Sequence, residues 1–127
     1  MSIEIRHLAA GDIALMEGLL TVFGEAFNDV ATFTERRPSM EYLRRLLVGD
    51  TFIALAAMKD GTVVGGIAAY ELKKFEQERS EIYIYDLAVA AAHRREGIAT
   101  ALIAALKKIA AVRGAYVIFV QADTGVE

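Results

Sequence analysis

The chain has 127 residues, of which 55% are hydrophobic, with 17 acidic against 14 basic side chains, a formal net charge of -3 and no cysteine. At about 150 residues per domain that is one core and not two, so residues 1–127 read as a single domain, far from disordered compositions. The missing thiols exclude disulfides, a cysteine zinc site and a thiol nucleophile, and they fit the cytoplasm. The acidic balance argues against nucleic acid and anionic membranes and favours a cationic partner.

Two histidines, His7 and His93, stand without any H-E-x-x-H or D-x-D spacing, so no metal is expected. Apolar stretches break well before the length of a membrane span, and Met1-Ser2-Ile3-Glu4 opens without a basic region, so neither a span nor a signal peptide is expected.

Ile3 to Arg6 reads as a short strand. Gly11-Asp12 then offers a helix start, and Ile13, Met16, Leu19, Leu20, Phe23 and Phe27 recur at helical spacing, which predicts a helix from about Asp12 to Phe27. Asn28 to Arg37 is polar and aperiodic. Pro38-Ser39 opens a second helix with apolar Met40, Leu43, Leu46 and Leu47, and Gly49 stops it. Thr51–Met58 and Val63–Tyr70 flank an Asp60-Gly61 pair suited to a tight hairpin. Lys73 to Ser80 is charged and turn-like, and Glu81–Val89 is rich in β-formers. A loop from Ala90 to Glu96 leads into a helix from Gly97 to Val112, ended by Gly114, and Ala115–Gln121 closes as a strand. A strand, helix and strand in that order make a βαβ unit with parallel strands, so the sheet is mixed.

The strand-loop-helix segment Asp86 to Thr100 is the one that carries chemistry. A helix start leaves backbone N–H groups unpaired and carries about half a positive charge, which suits a pyrophosphate, and Gly97 and Ala99 keep side chains out of its way.

Arg94-Arg95-Glu96-Gly97-Ile98-Ala99 resembles the Q/R-x-x-G-x-G/A signature of the GCN5-related N-acetyltransferase superfamily, and the order of elements is similar to that family's. Phe23–Thr32, Thr51–Ala57, Phe75–Gln77, Ser80–Val89 and Gly114–Asp123 are similar to type I aminoglycoside 3-N-acetyltransferases, a resemblance that covers essentially the whole chain. It implies an α/β (α+β) fold with a mixed, mostly antiparallel central sheet flanked by helices. It also implies a further helix and strands after Glu127, so that the single domain would be C-terminally incomplete.

The implied reaction moves the acetyl group of acetyl-CoA to the 3-amino group of an aminoglycoside antibiotic. Leu87, Ala88 and Val89 would offer backbone groups to the pantetheine arm, and Arg95, Glu96, Gly97, Ile98, Ala99 and Thr100 would hold the pyrophosphate. Arg94 and Arg95 could reach the 3′-phosphate. An alkylamine is mostly protonated at neutral pH, so a proton acceptor is useful. Asp86, on an apolar strand beside the thioester position, is the expected one, with Tyr83 and Glu81 in reserve. Strand alternation sets Glu81, Tyr83 and Tyr85 opposite Ile82, Ile84 and Asp86, unless a bulge near Leu87 reverses it. Glu25, Asp29, Asp123 and Glu127 would gather a cationic substrate. Acetylation of another amine, such as a polyamine or a protein, and acyl-CoA binding without catalysis stay open, as does a homodimer.

Overall fold

Near-continuous apolar runs in the middle of the chain, buried on both faces, form the centre of a five-stranded sheet in the order β1-β2-β3-β4-β5. The computed structural model describes residues 3–121. The strands are β1 (Glu4–His7), β2 (Phe52–Lys59), β3 (Thr62–Lys73), β4 (Ser80–Val89) and β5 (Val117–Val120). The first four pair antiparallel and β5 joins β4 in parallel, the mixed sheet that the βαβ order requires. Asp60 and Gly61 both take positive φ, 54° and 79°, the conformation of a two-residue hairpin turn whose twist matches its strands.

Helix α1 (Ile13–Ala26) and helix α2 (Met40–Val48) cover one face, and α3 (Ile98–Arg113) covers the other. Leu19 and Phe23 of α1 and Leu43 of α2 meet Ala54, Ala56, Ala68 and Ala88 of the sheet. On the opposite face Ile98, Leu102 and Leu106 of α3 meet Ile53, Leu55, Ile67, Ile82 and Ile84. Small residues toward α1 let it sit close. A Cβ on Gly66 would press on Leu19 Cδ1 and the Leu55 carbonyl oxygen, so only glycine fits there. Ser39 caps α2, accepting from the Tyr42 N–H at 3.1 Å, as the Pro-Ser opening predicts.

Most element ends shift by a residue from the sequence reading, and some features differ by more. β3 runs to Lys73 rather than Tyr70 because Glu71 is tied on both sides: its N–H donates to Thr51 O at 2.8 Å, and its carboxylate accepts from Ser80 Oγ and Arg113 Nη1, each at 2.6 Å. The polar stretch after α1 contains a π-helical turn, Ala31–Glu35, held by Phe33 against Phe23 and Phe27. β5 is shorter than expected at Val117–Val120. Among the described residues, no helix is long and apolar enough to cross a membrane.

Candidate active site

β4 and β5 part company midway. Among the described residues their parallel pairing runs from Glu81 opposite Val117 to Ile84 opposite Val120, while β4 itself continues to Val89. Ala90 N–H donates to Val64 O at 2.8 Å, so by antiparallel alternation Ala88 and Asp86 turn their backbone groups toward β3. Leu87 and Val89 therefore turn theirs to the vacated side. The result, among the described residues, is a lane walled by the outward backbone groups of Leu87 and Val89, of which Val89 O takes only a long bond from Arg94 Nε–H.

A β-bulge opens the same lane. Ala69 pairs with Ile84 but Ala68 pairs with Asp86, which leaves Tyr85 as the extra residue in β4. Ala68 packs with the α1–α2 face and Ala69 with the α3 face, so Asp86 lies on the α1–α2 side together with Tyr83, the partner of Tyr70. This corrects the simple alternation, which sets Asp86 opposite Tyr83. The reversal sits at Tyr85 rather than near Leu87.

A cavity of about 530 Å³ fills the gap, lined by Phe27, Ile84, Tyr85, Asp86, Leu87, Ile103 and Val120. A second, of about 260 Å³, shares Phe27 and Leu87 with it and adds Ala26, Ala88, Val89, Arg94 and Ala99. A third, also about 260 Å³, shares Val89, Arg94 and Ala99 and reaches His93, Arg95, Gly97, Ile98 and Thr100. Shared walls join the Asp86 cleft to the N-terminus of α3.

That N-terminus is built to take an anion. Gly97 precedes it at φ 81° with no side-chain cap, and nothing lies within 4 Å of where a Cβ would stand. The first N–H with an acceptor in the helical pattern is that of Ala101, donating to Gly97 O at 3.0 Å, so those of Ile98, Ala99 and Thr100 remain free for a ligand. Glu96 is drawn aside. It accepts from Lys59 Nζ at 3.2 Å and meets His93 Nδ1 at 3.4 Å, and the Lys59 contact first, then His93, holds its carboxyl below the ordinary value. The first turn of α3 carries no acid to compete for the dipole. Arg94 Nε–H makes a long bond to Val89 O at 3.4 Å, and Arg95 adopts a left-handed φ of 67°.

Asp86 is half-buried, and loss of water pushes its carboxyl above the usual carboxylate range. Among the described residues no group donates a hydrogen bond to its side chain. Tyr83 stacks on Phe119, with centroids 5.0 Å apart at 20°, and its hydroxyl lies 3.5 Å from Gln121 Oε1. Glu81 accepts from Arg79 Nη2 at 3.0 Å. Both therefore have partners of their own, and neither lines the cleft. Glu25 and Asp29 are exposed beside Ala26 and Phe27, which form the mouth, and Asp29 Oδ1 also accepts from Thr32 N–H at 3.3 Å. Asp123 and Glu127 lie outside the described residues.

Sequence reasoning did not single out Phe27, Tyr85 or Ile103 as cleft residues. Phe27 fits the apolar stripe of α1, yet the helix ends at Ala26 and leaves the ring 41% exposed at the mouth. Ile103 is a helical apolar residue that packs on the α3-side core and also lines the cleft.

Residues 17–126 match the acetyltransferase (GNAT) family model. The chain belongs to the GNAT acetyltransferase family. Comparison with curated protein sequences finds no match. Among solved structures, an aminoglycoside acetyltransferase, HMB0005, from an uncultured soil metagenomic sample is 67% identical, with a TM-score of 0.96 over 99% of this chain and 83% of that one. A second aminoglycoside acetyltransferase from an uncultured soil metagenomic sample, meta-AAC0020 in complex with sisomicin, is 31% identical, with a TM-score of 0.86 over 96% of this chain and 78% of that one. AAC(6')-Iy in complex with a bisubstrate analogue, CoA-S-monomethyl-acetylneamine, shares the fold at 18% identity and a TM-score of 0.75, covering 98% of this chain and 82% of that one.

Proposed function

We propose that the chain transfers the acetyl group of acetyl-CoA to an amine of an aminoglycoside antibiotic, and that the amine is the 3-amino group. The observation that carries the reading is the continuous lane from Asp86 to the uncapped N-terminus of α3. An extended thioester-bearing arm fits its width, and a pyrophosphate fits its end, where Gly97 offers no side chain to clash. The likeness to two aminoglycoside acetyltransferases, one complexed with sisomicin, supports the substrate class. The likeness of five segments to type I 3-N-acetyltransferases supports the position.

In this reading Leu87 and Val89 N–H groups hold the arm and can polarise the thioester carbonyl, and Ile98, Ala99 and Thr100 N–H groups with Arg94 and Arg95 hold the phosphates. The neutral amine attacks the carbonyl carbon, a C–N bond forms, the C–S bond breaks, and the thiolate leaves. Asp86 accepts the proton released from nitrogen, and its raised pKa makes it a stronger base than an exposed carboxylate. Glu25 and Asp29 supply negative charge at the mouth.

Thiol release from acetyl-CoA over a panel of aminoglycosides, followed by mapping of the acetylated nitrogen, tests this. Acetylation at the 3-amino group is the expected result. Turnover with acetylation elsewhere would overturn the position alone. Thiol release with spermidine but with no aminoglycoside would overturn the substrate class, and CoA binding without turnover on any amine would overturn the enzyme reading.

A further inference from the structure

Tyr85 has no pairing role in the sheet. It is the extra residue of the bulge, so the ladder from β3 passes from Ile84 to Asp86 without it. A large aromatic side chain that is 61% exposed also adds little to either core. Yet the ring is held. Tyr70 and Tyr83 each meet it edge to face, both at 5.9 Å between centroids, with interplanar angles of 88° and 89°. Phe52 continues the row behind Tyr70 at 5.3 Å, and Phe119 continues it beyond Tyr83 at 5.0 Å. The bulge thus presents a braced aromatic ring and the Asp86 carboxylate side by side on one wall of the same cavity.

Such a pair recognises a ligand carrying more than one ammonium group. A ring quadrupole attracts a cation lying within about 6 Å of its centroid, most strongly where water is excluded. Among the described residues, no cation of the protein occupies this ring. The arginine that stacks on a tyrosine among them is Arg79, 3.9 Å above Tyr116, the two lying just before the starts of β4 and β5. The half-buried Asp86 carboxylate lines the same cavity as the ring and adds negative charge beside it.

We propose that Tyr85 is a specificity-determining residue of the acceptor site: its ring binds an alkylammonium group and the adjoining ring of a polycationic amino sugar, while Asp86 faces the neighbouring amine that is acetylated. The proposal rests on the acetyl-transfer reading above and adds the group that selects the acceptor. The ring and the carboxylate divide the work. The carboxylate needs an amine that gives up its proton, whereas the ring needs one that keeps its charge, so a monoamine satisfies only one of them.

The test compares Tyr85→Leu, Tyr85→Phe and a Tyr85→Phe form with a fluorinated ring, each checked for folding by thermal unfolding and for CoA binding. With gentamicin or sisomicin as acceptor, Tyr85→Leu should raise the acceptor KM roughly three- to thirtyfold, with kcat and the acetyl-CoA KM within about twofold. Tyr85→Phe should stay near the native value, and fluorination, which weakens the quadrupole at nearly constant shape, should raise the KM again. An acceptor KM indifferent to fluorination overturns the proposal even where Tyr85→Leu is unstable. Calorimetric binding of sisomicin and of spermidine to native and fluorinated proteins separates the two readings. Tighter binding of both polycations to the native ring, without acetyl transfer to any aminoglycoside, would keep the ring's role and overturn the transferase reading. Equal binding alongside normal transfer would do the reverse.

Discussion

Arg113 Nη1 donates to Glu71 Oε1 at 2.6 Å, which ties the last residue of α3 to the end of β3 with side chains only 22% and 10% exposed. The same guanidinium group donates to Asp50 O, and Ser80 Oγ donates to the second Glu71 oxygen. Desolvation raises the Glu71 carboxyl, but the bonds from Ser80 and Arg113 outweigh it, and the net shift is downward. A carboxyl lowered on folding stabilises the protein above its unfolded pKa, and that contribution is lost as pH falls through the folded value. Glu71→Gln should therefore lower stability by about 2 kcal/mol at pH 7 and by much less well below pH 4. Denaturant melts of both proteins across that range check this. A constant gap at all pH values would show that charge plays no part.

Gly97→Asp should abolish CoA binding while leaving the fold intact. The left-handed backbone tolerates aspartate better than most residues, and a Cβ there meets open space. The carboxylate would compete for the free N–H groups of α3 and repel a pyrophosphate. Calorimetry with CoA should show affinity down more than tenfold. Unchanged affinity in a folded variant would move the phosphate site away from this turn.

Asp86→Asn should reduce kcat by about a hundredfold or more and remove the acid limb of the pH-rate profile, with CoA affinity near native. The limb of the native enzyme should lie above the usual carboxylate range, because burial raises the group. Stability should move the other way. A carboxyl raised on folding contributes stability below its unfolded pKa and loses it as pH rises through the folded value. At neutral pH the asparagine form should melt no lower than the native protein. A variant that loses stability and CoA binding together would make Asp86 a structural residue.

The acceptor KM should rise with ionic strength, since Glu25 and Asp29 are exposed and charges in water are screened beyond about 8 Å at physiological salt. Steady-state kinetics from low to high salt measure it. A flat KM would remove these two carboxylates from substrate capture.

Gly66→Ala should destabilise the fold by about 1–3 kcal/mol or more, because the added methyl meets the Leu55 carbonyl oxygen, which cannot move without bending β2. Urea denaturation is the direct measurement. A loss below a few tenths of a kcal/mol would mean that α1 retreats freely.

Much of this is legible in the sequence. Apolar periodicity located α1 and α3 to within a residue at each end, and Asp60-Gly61 specified its hairpin, because these signals are local. The Gly97 turn was legible for the same reason, since a helix start after a buried strand is written in consecutive residues. The face of Asp86 was not. It depends on how β4 registers against β3, and no residue near Tyr85 announces a bulge. The extent of β3 was also hidden, because Glu71 stays in the strand through bonds to Ser80 and to Arg113, far along the chain. Asp123 was read from sequence alone and lies outside the described residues.

The bulge in β4 has an evolutionary consequence. Take Tyr85 out of the strand and Ile84, Asp86 and Leu87 still alternate correctly, each on the face it now occupies, with every core residue paired as before. The position is thus a spare coordinate: selection can change which side chain stands there while the folding code of the sheet goes unedited. A lineage could explore side chains at this one site repeatedly without first having to repair its core.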